Sequence, residues 1–261
     1  RPVHRALEQA LADAYGVEDA VAFVSGHATN VTTIGYLFGA RDLIIHDELI
    51  HNSSLVGAQL SGARRLSFRH NDIAALDQLL SEQRHHFERV LIVVEGLYSM
   101  DGDCPDLPAL IELKNRHKAF LMVDEAHSFG TMGAHGLGLR EHFGVAGDAV
   151  DIWMGTLSKS MAACGGFIAG VRALTEHLKF LAPGFLYSVG MPPQVAAPAL
   201  TALQLMQQEP RRLERLQAIS RYFLEQATQA GLNTGHCMGL AVIPVITGSS
   251  ISAAKLSAAL F

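Results

Sequence analysis

Residues 120–124 read Phe-Leu-Met-Val-Asp and are followed by Glu125, so a short apolar run ends on two adjacent carboxylic acids. A run of this length suits a buried strand and is too short for a helix. Strand alternation sends Asp124 and Glu125 to opposite faces, so only one of them can serve a site on a given face. Similar apolar runs over residues 20–24, 43–46, 65–68, 90–95, 151–154 and 166–169 read as further strands. Between them lie helix-period segments over residues 4–15, 28–38, 53–61, 72–84 and 107–116. This alternation predicts an α/β protein with a mostly parallel central sheet. Right-handed crossovers then place helices on both faces and gather the strand C-termini at one edge, where ligands of open α/β sheets bind.

The chemistry-bearing residues fall at that edge. Asp124 ends one strand, Glu95 ends another, and Lys159 follows a third within Gly155-Thr156-Leu157-Ser158-Lys159-Ser160. An acid and a lysine so placed meet the needs of a pyridoxal phosphate (PLP) enzyme. A lysine holds the cofactor's aldehyde as a Schiff base, and a carboxylate keeps the ring nitrogen protonated. Asp-Glu-Ala-His alone also occurs in helicases; together with Thr-x-Ser-Lys and Gly165-Gly166 it is far more specific. Taken singly, Lys159 could be an exposed loop lysine, and Asp124 could cap the next turn through the N–H of Ala126 or His127. Ser25-Gly26-His27 follows a strand and opens a helix, the arrangement of an anion site. Thr156 and Ser158 add hydroxyl donors. A rival reading takes Gly133, Gly136 and Gly138 as a dinucleotide loop, but their spacing is not Gly-x-Gly-x-x-Gly and they do not directly follow a strand.

The chain resembles the alpha-oxoamine synthases, class II aminotransferase-like enzymes of the fold-type I PLP group. The resemblance is carried by Ser25-Gly26-His27-Ala28-Thr29-Asn30, His46-Asp47, His51-Asn52-Ser53, the segment from Glu95 to Gly102, Asp124-Glu125-Ala126-His127-Ser128, Thr156-Leu157-Ser158-Lys159-Ser160, Gly165-Gly166 and Met191-Pro192-Pro193. In motif it is most similar to the serine palmitoyltransferase and 8-amino-7-oxononanoate synthase members. The resemblance implies the PLP-dependent transferase fold of aspartate aminotransferase, with a large domain and the start of a smaller C-terminal one. It implies catalytic roles for Lys159 as the Schiff-base lysine, His51 stacking on the cofactor ring, Asp124 on the ring nitrogen and His127 on the phenolic oxygen. Ser25, Gly26, His27, Thr156 and Ser158 would hold the phosphate, and Glu95 and Ser99 would orient the ring region. Ser188 matches a segment that reaches into the neighbouring subunit, which implies a homodimer with shared sites, although Val189 stands where the family has a second hydroxyl.

The implied reaction condenses a small amino acid with an acyl thioester and releases carbon dioxide to give an alpha-amino ketone. Serine or alanine is favoured and glycine stays open, and the thioester is carried on coenzyme A or an acyl carrier protein. A PLP-dependent aminotransferase and a catalytically silent regulatory subunit are the alternatives; Lys159 argues against the second.

With 261 residues and 49% hydrophobic content the chain can bury a substantial core, divided in expectation into residues 1–190 (PLP-binding domain), 191–230 (linking helices) and 231–261 (beginning of a C-terminal domain). Residues 242–246 are expected as the first strand of that last domain, and both ends read as incomplete, with the family's carboxylate-binding arginine beyond the residues present. A net charge of −5 gives no reason to expect nucleic acid as a partner. Arg64-Arg65 and Arg211-Arg212 are expected as solvated element ends. Cys104, Cys164 and Cys237 are odd in number and lack metal-ligand spacing, so no metal site and a reduced cytoplasmic protein are expected. No apolar run approaches the roughly 18–20 residues of a membrane helix, so no transmembrane segment is expected.

Overall fold

The computed structural model describes residues 1–260. The chain begins α1 (Pro2–Tyr15), β1 (Asp19–Phe23), α2 (Gly26–Leu37), β2 (Leu43–Asp47), α3 (Asn52–Ser61), β3 (Arg64–Phe68), α4 (Ile73–Gln83) and β4 (Val90–Glu95). It continues α5 (Leu107–His117), β5 (Phe120–Asp124), α6 (Gly138–Phe143), β6 (Ile152–Thr156), β7 (Gly166–Gly170), α7 (Arg172–Leu181) and α8 (Pro183–Leu186). The helices α9 (Pro193–Gln208), α10 (Pro210–Gln229) and α11 (Ser250–Leu260) close it.

One seven-stranded sheet has the order β1-β7-β6-β5-β4-β2-β3. Five neighbouring strands, β3, β2, β4, β5 and β6, run parallel, and β7 is antiparallel to both β6 and β1. The mostly parallel sheet expected from the sequence is therefore present. Strand alternation divides the core in two. Leu43 and Ile45, Val90, Ile92 and Val94, Leu121 and Val123, and Trp153 face one side, where α1, α4, α5 and α9 supply Leu7, Leu76, Leu110 and Ala199. Ile44, Leu91, Val93, Met122, Ile152 and Met154 face the other, against Ile34 of α2, Ala58 of α3 and Leu178 of α7. A sheet buried on both faces needs near-continuous apolar strands, which is what β4, β5 and β6 have.

Element ends moved by one or two residues from their expected places. Helix α2 starts at Gly26 rather than residue 28 because Ser25 caps it, its hydroxyl accepting the Ala28 N–H at 3.4 Å. Strand β6 starts at Ile152, while the Asp151 carboxylate turns to Lys114 Nζ and the Leu121 N–H, each at 2.8 Å. Residues 242–246 were expected as a strand and form no regular element. They pair with no strand among the described residues, and an apolar run without a partner strand has no ladder to join. Arg64, Arg65, Arg211 and Arg212 are exposed. Among the described residues, no helix is long and apolar enough to cross a membrane, and no group of potential ligands is arranged for a metal ion.

Trp153 anchors the first side of the core. It is fully buried, donates Nε1–H to Gly147 O at 2.8 Å and packs its ring 5.4 Å from that of Tyr15. Trp153→Ala leaves a large void there and is expected to cost about 3–5 kcal/mol of stability. Chemical denaturation of the full-length protein measures it, and a loss of less than about 1 kcal/mol would mean that the void collapses.

Candidate active site

The parallel strands end at one edge of the sheet, and a cavity of about 280 Å³ opens there. Glu95 enters it from the end of β4, Asp124 from β5, and Met154 and Thr156 from β6. Ser25, Gly26, His27 and Asn30 come from the N-terminal turns of α2, and His51 and Ser53 from the start of α3. Ala126, His127, Ser158 and Lys159 line it from the loops after β5 and β6. Of the residues singled out in the sequence, Ser25, Gly26, His27, His51, Glu95, Asp124, His127, Thr156, Ser158 and Lys159 meet in this cavity.

Ser99 and Ser188 do not line it. Ser99 gives its backbone N–H to Glu95 Oε2 at 3.3 Å, and the Ser188 hydroxyl donates to Phe185 O at 2.7 Å within its own loop. Asn30 and Ser53 line the cavity but were quoted only as parts of motifs, and Met154 was not singled out at all. Thr29, Asn30 and Thr33 are buried polar residues of α2, a burial that the polar-rich run Thr29-Asn30-Val31-Thr32-Thr33 does not announce.

Hydrogen bonds fix the floor. Asn30 Nδ2 donates to Asp124 Oδ2 at 2.7 Å and to the Ser53 hydroxyl at 2.9 Å, and that hydroxyl lies 2.7 Å from His51 Nδ1. The Ala126 N–H donates to Asp124 Oδ1 at 3.0 Å, so Asp124 does cap its turn while still facing the cavity. Glu125 points to the opposite face and is held by the Ser128 hydroxyl at 2.5 Å and the Leu139 N–H at 3.0 Å. Across the cavity, Lys159 Nζ lies 2.5 Å from His127 Nε2.

Burial sets the charge states. It lowers the Lys159 ammonium below its ordinary value, against the pull of Asp124 and Glu95. It lowers His127 to about 4, helped by the nearby charges of Lys159 and His51. His127 is thus neutral at pH 7, and its Nε2 accepts a hydrogen from Lys159. The Asp124 carboxyl is raised by burial, although Asn30 and the Ala126 N–H favour its charged form. Glu95 is pushed up to about 8, first by burial and then by Asp124. Glu95 Oε1 and Asn30 Oδ1 are buried polar atoms with no partner in the protein, and both residues line the cavity.

The wall beside α2 is built for close approach. A side chain at Gly26 would put its Cβ 2.6 Å from Thr156 Oγ1, a clash that keeps this helix start bare. Thr156 Oγ1 and Ser158 Oγ lie 2.8 Å apart beside it, and the free N–H groups of a helix start attract anions. The cavity therefore pairs an anion-friendly wall with a buried carboxylate that favours a cation. The glycine-rich loop read alternatively as a dinucleotide site spends its amides internally: the N–H groups of His135 and Leu137 go to Glu141, and that of Leu139 to Glu125.

The profile of the family described as aminotransferase class I and II matches residues 1–261. The 8-amino-7-oxononanoate synthase of Symbiobacterium thermophilum is 42% identical over 255 residues, which are 98% of this chain and 64% of that protein. This chain thus spans just under two thirds of the length of that relative. Among solved structures, the serine palmitoyltransferase of Sphingomonas wittichii superposes with a TM-score of 0.91 at 33% identity, covering 96% of this chain and 63% of that one. A serine palmitoyltransferase from S. paucimobilis with bound PLP–myriocin superposes with a TM-score of 0.90 at 31% identity, over 95% of this chain and 64% of that one.

The raised Glu95 carboxyl sets a pH dependence. The folded, ligand-free protein keeps this proton up to about pH 8, whereas the unfolded chain releases it near its ordinary 4.5. Stability is then lost as pH rises across that window, by up to about 1.4 kcal/mol per pH unit. Glu95→Gln is expected to flatten this limb in urea titrations at successive pH values. An unchanged slope would place the proton elsewhere.

Proposed function

The chain belongs to the alpha-oxoamine synthase group of the class I and II aminotransferase family, and on that premise we propose that it holds PLP in the β4–β5–β6 cavity and joins a small amino acid to an acyl thioester. The observation that carries this reading is the single cavity in which Lys159, His127 and Asp124 converge beside the bare start of α2.

The residues present fit the cofactor. Asp124, buried and favouring a cationic neighbour, would hold a protonated ring nitrogen. The α2 start at Gly26 and His27, with Ser25, Thr156 and Ser158, would hold the phosphate. His51, fixed by Ser53, would cover the ring, and His127 would reach its phenolic oxygen. PLP bound there supplies an aldehyde that condenses with amines and a ring that draws electrons from an amino acid's alpha carbon.

The protein's own groups manage protons and orientation. Lys159, with its lowered pKa, supplies a larger fraction of free amine near neutrality than an exposed lysine does, both to act as a nucleophile and to carry the proton of the alpha carbon. Neutral His127 accepts a hydrogen from Lys159 and so aims the amine into the cavity. Glu95, still protonated near pH 7, offers a hydrogen-bond donor from the buried wall. In the reaction the alpha C–H bond breaks, its proton passing to Lys159. A C–C bond forms between the alpha carbon and the thioester carbonyl while the C–S bond breaks, and the thiolate leaves, taking up a proton. The bond to the carboxylate then breaks with loss of CO2, and a proton replaces it.

The relative's product name supports a choice of substrates. A nonanoate with an amino group at C8 and an oxo group at C7 divides at the C7–C8 bond into a seven-carbon diacid monothioester and alanine, whose methyl becomes C9. Relatives named 8-amino-7-oxononanoate synthase at 39–42% identity over most of the chain support L-alanine as the favoured donor, with L-serine the second. Residues 1–190 serve as the cofactor-binding domain, 191–230 as linking helices and 231–261 as the beginning of a C-terminal domain. The exposed Phe180, Tyr187 and Val189 flank the Ser188 segment and support its burial in a homodimer.

The full-length protein loaded with PLP is expected to release thiol and CO2 in equal amounts when given L-alanine and heptanedioyl-coenzyme A. Lys159→Ala is expected to lower that rate by roughly 10²–10⁴-fold. Formation of a 2-oxo acid from the amino acid without thiol release would instead identify an aminotransferase.

A further inference from the structure

Beside the cavity a histidine outside the active site is held between two carboxylates. Asp47 ends β2 and is fully buried, with its Oδ1 accepting the Leu49 N–H at 2.9 Å and its Oδ2 the Asn71 N–H at 2.8 Å. His70, in the turn after β3, lies with Nδ1 3.0 Å from Asp47 Oδ1 and Nε2 2.9 Å from Asp103 Oδ2. Ionised carboxylates only accept hydrogen bonds, so a ring that makes both contacts carries a hydrogen on each nitrogen and a positive charge. Asn71 Nδ2 donates to the same Asp103 Oδ2 at 3.0 Å, and the Tyr98 ring meets the His70 ring edge-on at 4.5 Å.

The three partners join three strand ends. His51 follows Asp47 by four residues. Asp103 closes the loop after β4, where the Tyr98 N–H donates to Asp103 O at 2.9 Å and the Gly102 N–H to Tyr98 O at 3.0 Å. At the start of that loop, the Ser99 N–H donates to the Glu95 carboxyl oxygen Oε2 at 3.3 Å. Among the described residues, His70 is the only cation within ion-pair distance of Asp47 or Asp103; the neighbouring Arg69 is exposed and pairs with Asp72 at 2.7 Å. Without the imidazolium, two carboxylates would share a largely buried site with no counter-charge.

We propose that His70 is a positioning residue, an imidazolium strap between Asp47 and Asp103 that sets the loop carrying His51 against the loop anchored at Glu95. Its effect on turnover rests on the reading of the cavity given under Proposed function, whereas the charge state of the ring does not. Other groups facing His70 do not supply its charge: Glu48 Oε1 accepts the His70 backbone N–H at 2.9 Å, His46 Nδ1 turns to Asp47 O, and Tyr98 is a phenol whose pKa burial raises further. Burial alone would discharge the ring, but the bonds to Asp47 and Asp103 outweigh it and raise its pKa. The strap therefore persists to higher pH than an ordinary imidazolium would and is released as pH rises.

The test uses the full-length, PLP-loaded protein labelled with ¹⁵N-histidine, with His70→Gln identifying the His70 signals. Both ring nitrogens are expected to be protonated at about pH 7.5, above the usual histidine range. His70→Gln is expected to lower kcat roughly ten- to a hundredfold, as small misplacements of catalytic groups do, while PLP affinity changes less than about threefold. Asp103→Asn, a milder change that covers the case of a misfolded His70→Gln, is expected to bring His70 titration back toward its ordinary range and to lower kcat with it. A neutral His70 ring at that pH overturns the proposal, as does wild-type kcat in either folded variant. A wild-type protein that binds no PLP would instead overturn the proposed function and leave the ring's charge state to be read from the same spectra.

Discussion

The bond from Asn30 to Asp124 is the constraint on which the rest of the site depends. Asp124 sits at the end of β5 in surroundings that oppose its ionisation, and Asn30 gives it its side-chain donor at 2.7 Å. The same bond joins the sheet to α2, so the helix start that carries Ser25, Gly26 and His27 is fixed relative to the carboxylate. The second hydrogen of that amide goes to Ser53, which holds His51. One amide group thereby sets the spacing of the floor and two walls of the cavity, and its own Oδ1 is buried without a partner in the protein. Polar groups buried this deeply specify one arrangement because every alternative leaves more of them unpaired.

The neighbouring acid has the opposite task. Glu125 is buried on the other face, raised to about 7 by burial although Ser128 and the Leu139 N–H favour its charged form. It organises the loop that leads into α6. Gly138 there has φ +78°, and a side chain on it would strike the Glu125 carboxylate. Two adjacent carboxylates thus do separate work because the strand pleat separates them: one faces a cavity and the other staples a glycine-rich loop.

Much of this was legible in the sequence, for identifiable reasons. Strands β4, β5 and β6 are apolar throughout, and residues that follow such runs must lie at the sheet edge, so Glu95, Asp124 and Lys159 could be placed before the structure was known. What could not be read was juxtaposition. Asn30 and Asp124 are 94 positions apart in the chain, and only the packing of α2 on the sheet brings them together. His70 lies in no motif that the sequence offered; its partners lie 23 and 33 positions away, and no periodicity encodes their meeting. The failure at residues 242–246 has the same root, because a strand depends on its neighbours more than on its own residues.

The charge pattern of the cavity is itself an argument for what it holds. Burial leaves His127 neutral and Glu95 protonated near neutral pH, and it works against the charged forms of both Lys159 and Asp124. Asp124 favours a positive group, and the start of α2 favours a negative one. Gly26 and Asn30 are four residues apart on that helix, which separates the two preferences by about 6 Å along its axis. That is the scale of one aromatic ring with a charged substituent. A ligand with a cationic ring nitrogen at one end and a phosphate at the other would satisfy both at once, and its binding free energy would add to the stability of the fold by mass action. Lys159 lines the same cavity, its amine held by His127, and would supply the nucleophile for such a ligand's aldehyde.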